Sequence, residues 1–283
     1  MQEVILHFDK EEDYRTKEAY KTLRTNVEFS GDSLKVVSVT SCTPNEGKSS
    51  VAMSLAKAFA EAGQRTLIVD ADMRKSVLVG RYKTGAVRQG LTHYLIGRAR
   101  IEDVICKSNI KNLFLVFSGP VPPNPSELIG GARFAEFMTE ARKACDMVII
   151  DTPPLGSVID AAVAAKHCDG TILVIENNAI SYKFAQRVKE QLDVTGCRIL
   201  GAVLNKVDMS AKSYYGNYGR YYGKYYGKYY GRYGEEGLES RVDMKLSGSS
   251  NPELKELGSK LRKAGAVQKE RLDTGKDDFK YFL

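Results

Sequence analysis

Apolar positions in this chain gather into short runs rich in β-branched residues, separated by longer stretches of helical period. LKVVSVTS (34–41), RTLIVDAD (65–72), NLFLVFSG (112–119), DMVIIDTPP (146–154), GTILVIE (170–176) and CRILGAVLNKVD (197–208) read as strands. Between them, 13–30 predicts an amphipathic helix with Tyr20, Leu23 and Val27 on one side, and 47–63 an alanine-rich helix with a glycine stop. Further helices are expected over 90–97, from a Ser126 cap to about residue 143, and over 181–194. Apolar strands alternating with helices predict an α/β fold with a mostly parallel sheet covered on both faces. Ligands of such sheets bind beyond the carboxyl ends of the strands. Lys48, Asp72 and Asp151 all fall at or just after such ends.

The pattern stops near residue 208. The expected organisation is an N-terminal helical segment (1–33), a core domain (34–208), a tyrosine-rich segment (209–234) and a tail (235–283). Within the tail, 251–264 has a weak helical pattern interrupted by Gly258. The tyrosine-rich segment holds Tyr214, Tyr215, Tyr218, Tyr221, Tyr222, Tyr225, Tyr226, Tyr229, Tyr230 and Tyr233 at a four-residue cadence, with periodic glycines. Such a stretch does not build a packed core.

Charge sharpens this division. Of the formal net charge of +7, four positive charges (Arg220, Lys224, Lys228 and Arg232) lie between Tyr214 and Tyr233, where there are no acids. The rest of the chain gives no basic footprint for nucleic acid. Five cysteines without CxxC spacing fit free thiols better than zinc or disulfides. The first residues lack the basic region of a signal peptide, and no stretch has the length of a membrane-spanning helix.

The chemistry concentrates at TPNEGKSS (43–50). Gly47, Lys48 and Ser49 match the end of G-x-x-x-x-G-K-[ST], with Cys42 in place of the first glycine. A turn through Thr43, Asn45, Glu46 and Gly47 aims backbone N–H groups at phosphate oxygens, and Lys48, Ser49 and Ser50 start the following helix. Lys48 is placed to reach the β and γ phosphates, and Ser49 to ligate Mg²⁺. A lone GKS would also suit a glycine-started helix with a surface lysine. The flanking strand and helix, and two further strands tipped with acids, favour a nucleotide and Mg²⁺. LIVDADMR (67–74) supplies Asp70, Asp72 and Arg74; VIIDTPP (148–154) supplies Asp151. Asn205, after a late strand, fits either an adenine contact or a polar strand terminator.

These three motifs together resemble the Walker A, A′ and B set of the bacterial tyrosine kinases. In the wider deviant-Walker ATPases, which include MinD and ParA, a second lysine sits early in the loop; here that position is Thr43. GLTHYL (90–95) and SGPVPPNPSELI (118–129) resemble the family's segments too, and the resemblance covers about residues 13–233. It implies a kinase that phosphorylates its own tyrosine cluster, with Lys48, Asp70, Asp72 and Asp151 as catalytic groups and Ser49, Asp70 and Asp151 around the metal. Asp70 would orient Mg²⁺ and polarise the incoming hydroxyl. Glu18, Lys21 and Arg24 resemble the family's ExxRxxR assembly motif, with lysine at the middle arginine. A solvated helix face with i,i+3 ion pairs is the competing reading.

The resemblance further implies transfer between copies in a ring-like homo-oligomer and a cytoplasmic chain recruited to the inner face of the membrane. The recruiting partner would be a transmembrane polysaccharide copolymerase of capsule or exopolysaccharide synthesis, and a tyrosine phosphatase would reverse the reaction. Two other readings stay open. One is a MinD/ParA-like ATPase switch with water as acceptor. The other is a nucleic-acid or scaffold-binding protein whose Tyr/Gly/Arg tract stacks on bases.

Overall fold

The structure, a computed structural model, describes residues 1–8, 13–207 and 281–282. The expected helix over 251–264 lies outside the described residues. Among the described residues nine strands form one sheet: β1 (Gln2–Val4), β2 (Val36–Ser41), β3 (Thr66–Asp70), β4 (Ile105–Ser108), β5 (Leu113–Val116), β6 (Met147–Asp151), β7 (Gly170–Glu176), β8 (Ile199–Asn205) and β9 (Tyr281–Phe282). Their spatial order is β1-β4-β5-β3-β6-β2-β7-β8-β9. All neighbours are parallel except β4 and β5, so the sheet is mostly parallel as expected.

Every residue of β2, β3 and β6 is buried, which is why these strands read as continuous apolar runs without alternation. Helix α1 (Tyr14–Glu28) and α2 (Lys48–Glu61) contribute Leu23, Val27, Val51, Leu55 and Phe59 to one core cluster. Val4 and Leu6 join that same cluster, so β1 and α1 both pack on the main body. A second cluster is built on Phe134, Phe137 and Met138 of α7 (Ala132–Ala144). A third contains Val188 and Leu192 of α9 (Tyr182–Asp193).

The structure corrects one helix. The region from Ser126 onward is two helices, α6 (Pro125–Gly130) and α7, divided where Gly131 is extended at φ −82°, ψ 163°. Asn124, not Ser126, stands at the N-cap, and the Ser126 hydroxyl is used elsewhere. The sequence also left β1, β4, β9 and the helices α3 (Leu78–Arg81), α5 (Ile101–Val104) and α8 (Asp160–Ala165) unassigned; α4 (Leu91–Leu95) matches the helix expected over 90–97. No helix among the described residues is long and apolar enough to cross a membrane.

Candidate active site

β2 ends at Ser41 and α2 begins at Lys48, so residues 42–47 must reverse the chain within six positions. Two left-handed residues do this, Asn45 at φ 69° and Gly47 at φ 93°. Gly47 is required twice over: its φ disfavours a side chain, and a Cβ there would stand 2.1 Å from Asn205 Nδ2. The loop is braced from outside. Asn205 Nδ2 donates to the Glu46 carbonyl at 2.8 Å, and Lys206 Nζ to the Asn45 carbonyl at 2.7 Å. From inside, the Thr43 amide donates to Glu46 Oε2 at 2.7 Å. A turn with its carbonyls held outward, ahead of a 14-residue helix, makes an anion-binding concavity. Cys42 is fully buried and its thiol is pushed up to about 12 by that burial, which suits a small filler of the turn.

Parallel pairing delivers the acids. The register of β3 on β6 sets Asp70 beside Asp151, and β6 on β2 sets Asp151 beside Val39, close to the loop. Lys48 Nζ then lies 2.9 Å from Asp72 Oδ2, 3.1 Å from Ser49 Oγ and 3.7 Å from Asp151 Oδ1. Ser76 donates its hydroxyl to Asp70 Oδ2, and the Lys75 amide donates to Asp72 Oδ1 at 3.0 Å. Lys48, Ser49, Asp70, Asp72 and Asp151 are all buried.

This arrangement sets three like charges against one cation. Burial, and next the charge of Asp151, push the Asp70 carboxyl up to about 7. Burial raises Asp151 as well, with Lys48 opposing. Burial works against the Lys48 charge, but Asp151 and Asp72 outweigh it and raise its pKa. Asp70 Oδ1 and Asp151 Oδ1 are buried without a hydrogen-bond partner. Orphaned carboxylate oxygens beside a lysine, a serine hydroxyl and a phosphate-binding turn fit Mg²⁺, a hard cation with oxygen ligands. Among the described residues no three His, Cys, Asp or Glu side chains form a ready-made metal cage. Mg²⁺ commonly takes one or two carboxylates together with substrate phosphates, and Asp70 and Asp151 would supply the carboxylate share.

Not every expected residue faces the concavity. Asn205 is engaged in bracing the loop. Arg74 binds Asp160 through Nε at 2.8 Å and Nη2 at 3.0 Å, and Ser126 Oγ at 3.2 Å. Ser50 accepts a hydrogen bond from Arg81 on α3, a residue the sequence did not single out. On α1, Lys21 pairs with Glu18 at 2.7 Å in the open, whereas Arg24 turns inward and donates to the Ala58 carbonyl at 3.1 Å. The ten tyrosines between 214 and 233 lie outside the described residues.

Comparison with known proteins agrees with this geometry. The family described as "AAA domain" matches residues 34–194. The tyrosine-protein kinase CpsD of Streptococcus agalactiae is 43% identical over 208 residues, spanning 73% of this chain and 91% of that protein. The solved kinase domain of the Escherichia coli tyrosine kinase ETK superposes with a TM-score of 0.66 at 32% identity, covering 70% of this chain and 78% of that one. The septum site-determining protein MinD from Pyrococcus horikoshii, solved with Mg-ADP, superposes at 0.54 with 26% identity over 62% of this chain and 72% of its own. A buried Lys48 facing Asp70, Asp72 and Asp151, on a sheet shared with these relatives, places the chain in the bacterial tyrosine-protein kinase family of the capsule-synthesis type, and it is a protein-tyrosine kinase.

Proposed function

We propose that this kinase uses ATP with Mg²⁺ to phosphorylate the tyrosine row at 214–233 of a neighbouring copy. The observation that carries the reading is the buried quartet of Lys48, Asp70, Asp72 and Asp151, with two carboxylate oxygens left without a hydrogen bond at the mouth of a phosphate-binding turn. The turn at 43–47 and the first residues of α2 cradle the phosphates. Lys48 reaches the β and γ phosphates once it exchanges its present carboxylate contacts for them. Ser49, Asp151 and Asp70 would hold Mg²⁺, which would neutralise charge on the transferring group.

The phenol of a solvated tyrosine loses its proton only near pH ~10, so it arrives protonated and benefits from a nearby base. Asp70, fully buried with one oxygen free of hydrogen bonds, would orient the metal and through it polarise the incoming hydroxyl. Asp72 keeps Lys48 aligned through their 2.9 Å contact. Each phosphate added to the tyrosine row brings about 1.5–2 negative charges, partly offset by the interleaved Arg220, Lys224, Lys228 and Arg232. Accumulated charge then weakens contacts between copies, which gives a cycle of assembly and release. Glu18 and Lys21, exposed and paired on α1, are available to such contacts.

The resemblance to capsule-type kinases supports a role in capsular or extracellular polysaccharide synthesis. There the chain is recruited to the inner face of the membrane by a transmembrane copolymerase and reset by a tyrosine phosphatase. Incubation with ATP and Mg²⁺ followed by peptide mass spectrometry should place phosphate on residues 214–233. Steady release of inorganic phosphate with no phosphotyrosine, with or without the membrane partner, would favour an ATPase switch instead.

A further inference from the structure

Asp160 opens α8, is fully buried, and has no part in the nucleotide chemistry described above. A buried carboxylate is costly unless it is paired and hydrogen-bonded. Here Arg74 grips it with both arms of its fork, Nε on Oδ2 at 2.8 Å and Nη2 on Oδ1 at 3.0 Å, and Ser126 donates its hydroxyl to Oδ1. Burial alone would raise this carboxyl; the bonds from Arg74 and Ser126 outweigh it and hold the group below its usual range.

The three partners come from segments that follow three adjacent strands, Arg74 from a loop, Ser126 from α6 and Asp160 from the start of α8. Arg74 follows β3, Ser126 follows β5 and Asp160 follows β6, and the sheet order places β5, β3 and β6 side by side. Arg74 lies two residues beyond Asp72. Within its loop, the Lys75 amide fixes Asp72 and the Ser76 hydroxyl fixes Asp70. The Arg74–Asp160 fork ties that loop outward to its neighbours. Paired N–H···O bonds set direction as well as distance. The Arg74 side chain is still 41% exposed, so the fork lies at the edge of the site and not in the core.

We propose that Asp160 is a positioning residue for phosphoryl transfer: through Arg74 it fixes the loop at 71–77, and with it Asp70 and Asp72, relative to Lys48. This rests on the assignment of Lys48, Asp70, Asp72 and Asp151 as the transfer site. Asp160→Asn keeps the shape and removes the charge that orients the fork. In the full chain with ATP and Mg²⁺, its kcat for phosphotyrosine formation falls about 10–100-fold while KM for ATP and the Kd for ADP stay within about threefold. Arg74→Lys leaves a cation beside Asp160 but loses the two-armed grip, and it shows the same split. If Asp160→Asn does not fold, Arg74→Lys carries the comparison alone.

ATP hydrolysis is read in parallel on every variant. If the unaltered chain hydrolyses ATP without making phosphotyrosine, the kinase reading fails, and the role of Asp160 is still read from hydrolysis. A kcat within about twofold of the unaltered chain for both variants would overturn the proposal. So would a loss that tracks weaker ADP binding or a fraction of unfolded protein.

Discussion

At the amino end of the sheet Asp169 accepts four hydrogen bonds, two from Arg142 and one each from the Lys35 and Val36 amides, all at 2.8 Å. Asp146, at the same end, accepts from the Arg65 amide at 2.8 Å. At the carboxyl end Asp70 and Asp151 are more deeply buried, yet each keeps an oxygen with no hydrogen-bond donor. One set of carboxylates joins strands and loops; the other is held out of water with its bonding capacity unspent. Full pairing favours stability, whereas unpaired capacity beside a lysine is what a phosphoryl donor and its metal can use. Substitutions at the carboxyl end should therefore strike activity, and those at the amino end folding.

The largest expected effect breaks the carboxyl end. Lys48→Met removes the one cation among three acids and should lower the rate of phosphotyrosine formation by about 10²–10³-fold, as for loss of a transition-state charge contact. Circular dichroism should show the fold retained. The amino end should respond in the opposite way. Arg142→Ala leaves Asp169 with its amide bonds only and should cost about 1–3 kcal/mol in urea unfolding, with kcat per folded molecule unchanged.

Asp70→Asn sharpens the contrast further. It relieves like-charge repulsion with Asp151 across paired strands, so stability without nucleotide should rise by about 0.5–2 kcal/mol while phosphoryl transfer collapses. Differential scanning calorimetry at neutral pH reads the first effect and phosphotyrosine blotting the second. A fall in stability would show that Asp70 belongs with the structural carboxylates.

The smallest effect is in acid. Burial would raise the Asp169 carboxyl, but the bonds from Arg142 and from the Lys35 and Val36 amides outweigh it and hold the group below its ordinary value of 3.8. A carboxylate with a depressed native pKa contributes stability above its unfolded pKa, and loses it as pH falls through the native value. The stability gap between the unaltered chain and Asp169→Asn should therefore be constant above about pH 5 and shrink below pH 3.8. Urea midpoints at about pH 6 and about pH 3 would check it.

Much of the carboxyl end was legible in the sequence because its signals are local. The GKSS run, the paired acids of LIVDADMR and the single acid of VIIDTPP each sit within one strand and its following turn. Burial of β2, β3 and β6 on both faces follows from uninterrupted apolar runs. What escaped is either short or non-local. β1 and β4 have three and four residues and carry Glu3 and Lys107, too little pattern to stand out from a loop. The split of the 125–144 helix depends on Gly131, and the Ser126 hydroxyl that suggested a cap is spent on Asp160. Arg74 and Asp160 are 86 residues apart, and only the adjacency of β3 and β6 brings them together.

The most direct test of the account mixes two versions of the full chain. One carries Lys48→Met with the tyrosine row intact; the other has an intact site and phenylalanine at all ten positions from Tyr214 to Tyr233. With ATP and Mg²⁺, phosphate is expected on the tyrosines of the Lys48→Met chain in the mixture and on neither version alone. Phosphate on the Lys48→Met chain by itself, or none on its tyrosine row in the mixture while the unaltered protein labels readily, would contradict it.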